Sequence, residues 1–178
     1  NKLFSRFDRL ARDAGVSRNT KASIEWFRNY IRKIGPIKSH EKVTEGLRKK
    51  GRVVPGEMVT YVYDAKFKKK LPFWDKFPLI ILLEYTENGW YGLNLHYLPP
   101  MVRARVLADL NINRKNLPAI KSALEKDERL KVCLKRYLAS QVVTEMIPIP
   151  KTEWEIAIQL PFENFIGATA KKVWSQKK

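Results

Sequence analysis

The sequence is poor in cysteine, histidine and acidic side chains, and it has no long apolar run. A single cysteine, Cys133, cannot form an intrachain disulfide, which fits a reducing compartment. One cysteine and two histidines also exclude the usual structural zinc sites. The longest aliphatic run, 79–83, is far shorter than the roughly 20 residues of a membrane-spanning helix, and no signal-peptide pattern is visible. We therefore expect no metal or other cofactor and no membrane association.

Basic side chains are abundant instead. Among 178 residues there are 35 Lys and Arg against 18 Asp and Glu, a formal net charge of +17. Hydrophobic residues make up 44% and aromatic residues 11%, enough for a packed core. Such an excess of positive charge repels itself unless an anionic partner lies beside it, most often nucleic acid.

The positive charge is concentrated at the beginning of the chain. Residues 1–52 carry a net +10, residues 53–100 are neutral, and residues 101–150 carry +5. A solvated basic surface is the alternative explanation, but solubility alone does not need this asymmetry. The sequence thus predicts a basic N-terminal arm (1–52), a core (53–165) and a basic C-terminal tail (166–178).

The hydrophobic pattern predicts an α+β fold. Apolar residues at helical spacing indicate basic helices near the N-terminus and a helical insertion at about 100–139, whose third helix covers 130–138. Period-two or continuous apolar stretches indicate five strands, at 57–63, 79–85, 90–95, 142–149 and 154–160. Asn88-Gly89 predicts a hairpin turn, because both residues tolerate positive φ. We expect a small antiparallel, partly open β-barrel or curled sheet, with the insertion between strands three and four.

Motifs for catalysis are missing. There is no glycine-rich phosphate loop and no Gly-x-Ser-x-Gly nucleophile motif. His96 is best explained as a hydrogen-bonded side chain at a strand end. Asp75 and Glu84 offer only a weak case for a metal-dependent nuclease, which needs clustered carboxylates. We expect no enzymatic activity, and we keep the nuclease as a minor alternative.

Binding is better supported, because basic side chains cluster on predicted helices, loops and the tail. Nothing resembles a base-reading motif, so DNA binding is expected to be independent of sequence. Phe67, Phe73, Trp74 and Phe77 lie in or beside a lysine-rich loop, where they would either stack on unpaired bases or pack the loop onto the core. The candidate DNA-binding residues are Arg6, Arg9, Arg12, Arg28, Arg32, Lys33, Arg48, Lys49, Lys50, Arg52, Lys68, Lys69, Lys70, Lys171 and Lys172.

Four segments, at 55–64, 71–79, 89–100 and 165–174, are similar to a family of virion proteins of T-even-like tailed phages called DNA end protectors. The most specific part is Leu-Asn-Leu-His-Tyr-Leu-Pro-Pro at 93–100. The resemblance implies a protein of the virion, present in the host cytoplasm during assembly. It would shield the ends of packaged linear double-stranded DNA from host exonuclease and help complete the head.

The resemblance also implies other head, neck or tail proteins as partners, with oligomers possible within the particle, and it supplies no catalytic residues. The main alternative is a neck, tail or baseplate subunit whose basic surface faces DNA or acidic partner subunits.

Overall fold

The structure is a computed structural model that describes residues 53–144, 146–160 and 163–175. The basic helices predicted within 1–52 lie outside these residues. The strands are β1 (Met58–Thr60), β2 (Trp74–Asp75), β3 (Leu79–Tyr85), β4 (Gly89–Asn94), β5 (Leu134–Leu138), β6 (Ile147–Ile149) and β7 (Phe165–Ile166). The helices of the described residues are α1 (Pro100–Leu110), α2 (Leu117–Lys126), α3 (Trp154–Gln159) and α4 (Ala170–Trp174), with short 3₁₀ turns between them.

The described part of the chain is α+β, as predicted, and is built on a five-stranded antiparallel sheet. The strand order is β5-β4-β3-β1-β6, so β5 and β6 are the edge strands. Pro148 lies in the middle of the edge strand β6, opposite Val59. The sheet is not closed into a barrel, so the barrel alternative is wrong. A separate short ladder joins β2 to β7 near the end of the chain.

Strand β3 is covered on both faces, as its continuous apolar sequence predicts. Leu79, Ile81 and Leu83 belong to a core shared with the helices. Ile80 and Leu82 face the opposite way, into an aromatic core that includes Trp90. The sheet is therefore the central layer of the molecule, with apolar packing on each side.

The β3–β4 hairpin forms where Asn88-Gly89 predicted it, but the expected reason is wrong. Neither residue has a positive φ. Gly89 is instead the first residue of β4 and is paired with Leu138 of β5. A Cβ at Gly89 would collide with the backbone carbonyl of Tyr137. Glycine is needed here because two backbones approach closely, not because of a left-handed turn.

The helical insertion is shorter than predicted. Helices α1 and α2 are confirmed, and each begins with a proline in its first turn, where the missing N–H costs nothing. The third predicted helix, 130–138, is wrong, because only Lys131–Cys133 forms a 3₁₀ turn and β5 follows at once. Cys133 is buried.

The strand predicted at 154–160 is also wrong, since α3 occupies this stretch. Ala157 and Ile158 are buried and belong to the core shared with the helices. The buried Arg103 of α1 donates from Nη1 to the Ile158 carbonyl, at 2.9 Å, near the end of α3. Contacts with α1 thus stabilise a helix where local alternation indicated a strand. Of the strand predicted at 142–149, only β6 forms, and Val142 makes an isolated bridge to Tyr63.

Arg103 also ties the C-terminal segment to the core. Its Nε donates to the Leu98 carbonyl at 2.8 Å, and its Nη2 lies 3.5 Å from Glu163 Oε2. The guanidinium lies over the Trp174 ring, with its central carbon 5.6 Å from the ring centroid. Burial lowers the pKa of Arg103, and the facing Glu163 carboxylate offsets part of that effect.

None of the helices in the described ranges has the length and apolarity that a bilayer span requires.

Candidate nucleic-acid interface

A turn rich in lysine projects from the sheet between β1 and β2. We call residues 66–70 the lysine turn; it is closed by hydrogen bonds from the Lys70 and Leu71 amides to the Phe67 carbonyl, at 2.9 and 3.1 Å. Between β1 and the lysine turn, the Tyr63 amide donates to the Lys76 carbonyl at 2.9 Å. This bond brings the two ends of the excursion together, so the turn has a fixed base.

Strand β5 faces the lysine turn across a groove. Lys135 and Arg136 lie on this edge strand. The Lys135 ammonium is 4.2 Å from the centroid of the Tyr97 ring, and Arg136 Nη2 donates to Asn88 Oδ1 at 3.1 Å. The positive charge of β5 is thereby held beside an aromatic surface.

The groove between these two elements has a volume of about 460 Å³. We call it the aromatic groove. Its cations are Lys66 on one side and Lys135 and Arg136 on the other. Its aromatic lining consists of Tyr63, Phe67, Phe73, Trp74, Tyr97 and Tyr137. Flat apolar rings with cations at the margin are the surface that single-stranded nucleic acid prefers.

A buried carboxylate, Asp75, organises the floor of the groove. Its Oδ1 accepts from the Phe77 and Asn164 amides, at 3.0 and 3.3 Å. Its Oδ2 accepts from Asn94 Nδ2 at 3.1 Å and lies 2.8 Å from His96 Nδ1. Four protein groups therefore surround the two oxygens and match the acceptor capacity of an ionised carboxylate.

This environment keeps Asp75 ionised. Burial by itself raises the pKa of the carboxyl, but the adjacent His96 and the hydrogen bonds from His96, Phe77 and Asn94 lower it more. The net pKa lies below the ordinary value of 3.8. His96 is thus a hydrogen-bonded side chain just after a strand, as the sequence indicated.

The aromatic residues near the lysine turn divide into two groups. The Phe77 side chain is completely buried and packs in the core. Phe67 is 54% exposed, whereas Phe73 and Trp74 are half-buried in the groove wall. Of the two roles open from the sequence, Phe77 has the packing role, and Phe67 has a ring face available to a ligand.

Five of the predicted DNA-binding residues fall within the described chain. Lys68 forms an ion pair with Asp64 at 2.6 Å, while Lys69 and Lys70 are exposed on the same turn. Lys171 and Lys172 are exposed on α4 and do not line the groove. The other ten, Arg6, Arg9, Arg12, Arg28, Arg32, Lys33, Arg48, Lys49, Lys50 and Arg52, lie outside the described residues.

Three groove cations were missed by the sequence reasoning: Lys66, Lys135 and Arg136. Lys66 belongs to the same lysine-rich stretch of sequence as the predicted Lys68, Lys69 and Lys70, so the sequence could have identified it. Lys135 and Arg136 were assigned to a helix, and their place beside the aromatic rings depends on the pairing of β5 with β4. No local pattern reports that pairing.

The carboxylates considered for a nuclease have separate partners. Asp75 is enclosed with His96, whereas Glu84 is exposed and its Oε2 lies 3.0 Å from Lys121 Nζ. Within the part of the chain that the structure describes, no group of three or more metal-ligating side chains is close enough to hold an ion. The described geometry gives the nuclease alternative no support.

The fold and the groove together define a basic α+β protein with an aromatic groove beside one edge of an open antiparallel sheet. The chain belongs to the phage T4 terminal DNA protecting protein family, whose model matches residues 1–177. The resemblance inferred from the sequence is confirmed, and the family description indicates a bacteriophage protein with a structural, DNA-protecting role. No curated protein and no solved structure matches the chain.

Proposed function

We propose that this protein binds the ends of linear double-stranded phage DNA, without sequence specificity, and shields them from host exonuclease. The observation that carries the proposal is the family match over residues 1–177, which covers the basic N-terminal region as well as the core. The net charge of +17 supports it, because phosphate neutralisation supplies most of the affinity in sequence-independent binding.

The contact surface of this proposal has three parts. In the described chain it comprises Lys69 and Lys70 of the lysine turn together with Lys135 and Arg136 of β5. Residues 1–52 add a basic arm, 53–165 form the body and 166–178 a basic tail. Such charges contact the phosphate backbone of the DNA and do not distinguish one base from another. This fits a protein that must bind DNA ends of any sequence.

In the particle we place the protein at the packaged head, where it would help complete the head and contact other head, neck or tail proteins, alone or as an oligomer. It would reach the virion from the host cytoplasm during assembly. A neck, tail or baseplate subunit is the second candidate. Met101 and Val102, at the start of α1, favour it, because they are 92% and 39% exposed and offer an apolar contact to another protein.

Exonuclease protection tests the proposal. Linear duplex DNA is incubated with the purified full-length chain and then with a processive exonuclease, in the presence of excess closed circular DNA. We expect protection that survives the circular competitor, because the circle has no ends. Protection that the circle abolishes would mean a general basic surface and would favour the structural-subunit candidate.

A pair of charge variants with equal net charge makes the test specific. We expect Lys69→Glu with Lys135→Glu to weaken protection and to lower the slope of the salt dependence by about one for each phosphate that is no longer neutralised. The matched control is Lys115→Glu with Lys126→Glu, two exposed lysines that belong neither to the lysine turn nor to β5. Equal effects of the two pairs would contradict a role for this surface.

A further inference from the structure

We propose that the aromatic groove binds an unpaired terminal nucleotide of the DNA, with the base stacked on Phe67 and the phosphate held by Lys135 and Arg136. This inference rests on the proposed function, and it adds that the recognised DNA end carries an unpaired nucleotide. It assigns a ligand to the aromatic lining of the groove, which phosphate contacts with a duplex would leave unused.

The exposure of Phe67 is the first argument. A phenylalanine that is 54% exposed, between Lys66 and Lys68 on a turn, contributes little to the core. Within the described residues, its ring is contacted by the Lys66 ammonium, 5.5 Å from the ring centroid, and by no other aromatic ring. An exposed aromatic ring beside a cation is a stacking platform for a base, and stacking tolerates every base.

The size and lining of the groove are the second argument. Its volume of about 460 Å³ lies within the range of small-molecule sites and suits one nucleotide. Paired bases inside a duplex are stacked on their neighbours and have no free face to offer. An unpaired base at an end enters without the cost of unstacking from a helix.

Charge complementarity is the third argument, and it selects an anionic occupant. Arg136 uses Nη2 to donate to Asn88, which leaves other guanidinium N–H groups for a phosphate. Lys135 is held over the Tyr97 ring in the same wall. The acidic group of the lining, Asp75, is turned to protein donors through both of its oxygens and is 3% exposed.

The first experiment compares binding to two duplexes of equal paired length, one blunt and one with a short single-stranded overhang, with excess closed circular DNA present. We expect the overhang to bind more tightly, by roughly 5- to 150-fold for one stacked base. Phe67→Ala should remove this difference and leave the affinity for the blunt duplex unchanged. Overhangs of both polarities are measured, and preference for either supports the proposal.

The control variant is Met101→Ala, which removes another exposed apolar side chain, 92% exposed and outside the groove. Equal binding of blunt and overhang duplexes by the unmodified protein would overturn the proposal. So would equal effects of Phe67→Ala and Met101→Ala. Either result would reject the groove as a nucleotide-binding site.

A second measurement uses the unmodified protein and does not depend on any variant folding. An overhang carrying a terminal 5-iododeoxyuridine is photocrosslinked, and the attached peptide is mapped. We expect the crosslink within residues 66–74 or 134–138. Crosslinks found only in other parts of the chain would overturn the groove assignment.

The outcomes separate this inference from the proposed function. Protection of blunt ends against the circular competitor, without any preference for overhangs, leaves end protection standing and rejects the groove site. Overhang binding that depends on Phe67, without exonuclease protection, supports the groove site and rejects end protection.

Discussion

At the scale of single residues, Asp75 determines the shape of the groove floor. Its carboxylate connects the end of β4, through Asn94 and His96, to the segment that follows α3, through the Asn164 amide. Asn94 Nδ2 also donates to the Tyr137 hydroxyl at 3.0 Å, which extends the network to β5. One buried charge thus links three parts of the chain that are distant in sequence.

We expect Asp75→Asn to lower the free energy of unfolding at pH 7 by about 1–3 kcal/mol, because buried donors lose their acceptor. The pH dependence should change as well. The pKa of Asp75 is lower in the folded chain than the ordinary 3.8, so its stabilisation is complete above that pH and is lost as the pH falls through the folded-state pKa. Thermal unfolding between pH 5 and pH 3 checks this.

In that measurement the melting temperature of the variant should fall less steeply with acid than that of the unmodified chain. Parallel curves for the two proteins would show that Asp75 does not carry the acid sensitivity.

Residue-level reasoning from the sequence located part of the candidate site. Lys68, Lys69 and Lys70 stand out as a local run, and their exposure follows from composition. Asp75 and His96 are 21 positions apart, and the sequence around neither residue indicates that the two side chains meet. Side chains that meet only through the sheet are beyond a local pattern.

At the scale of elements, the predictions hold where local pattern and tertiary contacts agree. The apolar run of β3 and the proline-initiated helices α1 and α2 are of this kind. The segments 134–138 and 154–159 are not. Leu134 and Leu138 fit a helical stripe, yet Tyr137 between them packs edge-on against Tyr63, with centroids 5.0 Å apart, and this contact belongs to a strand. Tertiary contacts override periodicity in both segments.

Two glycines of β4 test how closely its neighbours approach. We expect Gly89→Ala to destabilise the protein by about 2–3 kcal/mol, because its Cβ would collide with the Tyr137 backbone. Gly92→Ala should cost less, since its three nearest atoms, at 2.8 to 3.3 Å, all belong to the Ile80 side chain, and a side chain shifts more readily than a backbone. Chemical denaturation of both variants checks the order. A larger effect of Gly92→Ala would show that β5 moves away more easily than Ile80 repacks.

At the scale of the whole molecule, charge and structure are divided between regions. Residues 53–100, which supply β1 to β4, have no net charge, while residues 1–52 carry +10. The largest share of the positive charge therefore lies in the part of the sequence that precedes β1.

We expect binding to linear DNA to weaken steeply with salt, about 10³- to 10⁵-fold between 50 and 200 mM for 6–10 phosphate contacts. Replacing five cations of the arm by glutamine should reduce the slope by about 0.9 for each phosphate that the variant no longer neutralises. The five are Arg28, Arg32, Arg48, Lys49 and Lys50. Fluorescence titrations over a range of salt concentrations measure the slope.

The control neutralises the same number of exposed cations in the described chain that do not line the groove: Arg105, Lys115, Lys126, Arg129 and Lys151. An identical reduction of the slope in the two variants would mean that total charge, rather than the arm, determines binding.

The two edge strands of the sheet bear on how the protein behaves at high concentration. Unpaired strand edges invite another chain to add a strand, which leads to aggregation. Strand β6 has Pro148 at its centre, which has no N–H to donate, and β5 carries Lys135 and Arg136, whose charges repel a second copy. Both edges of the sheet, as the described residues form it, therefore disfavour edge-to-edge pairing between two copies of the protein.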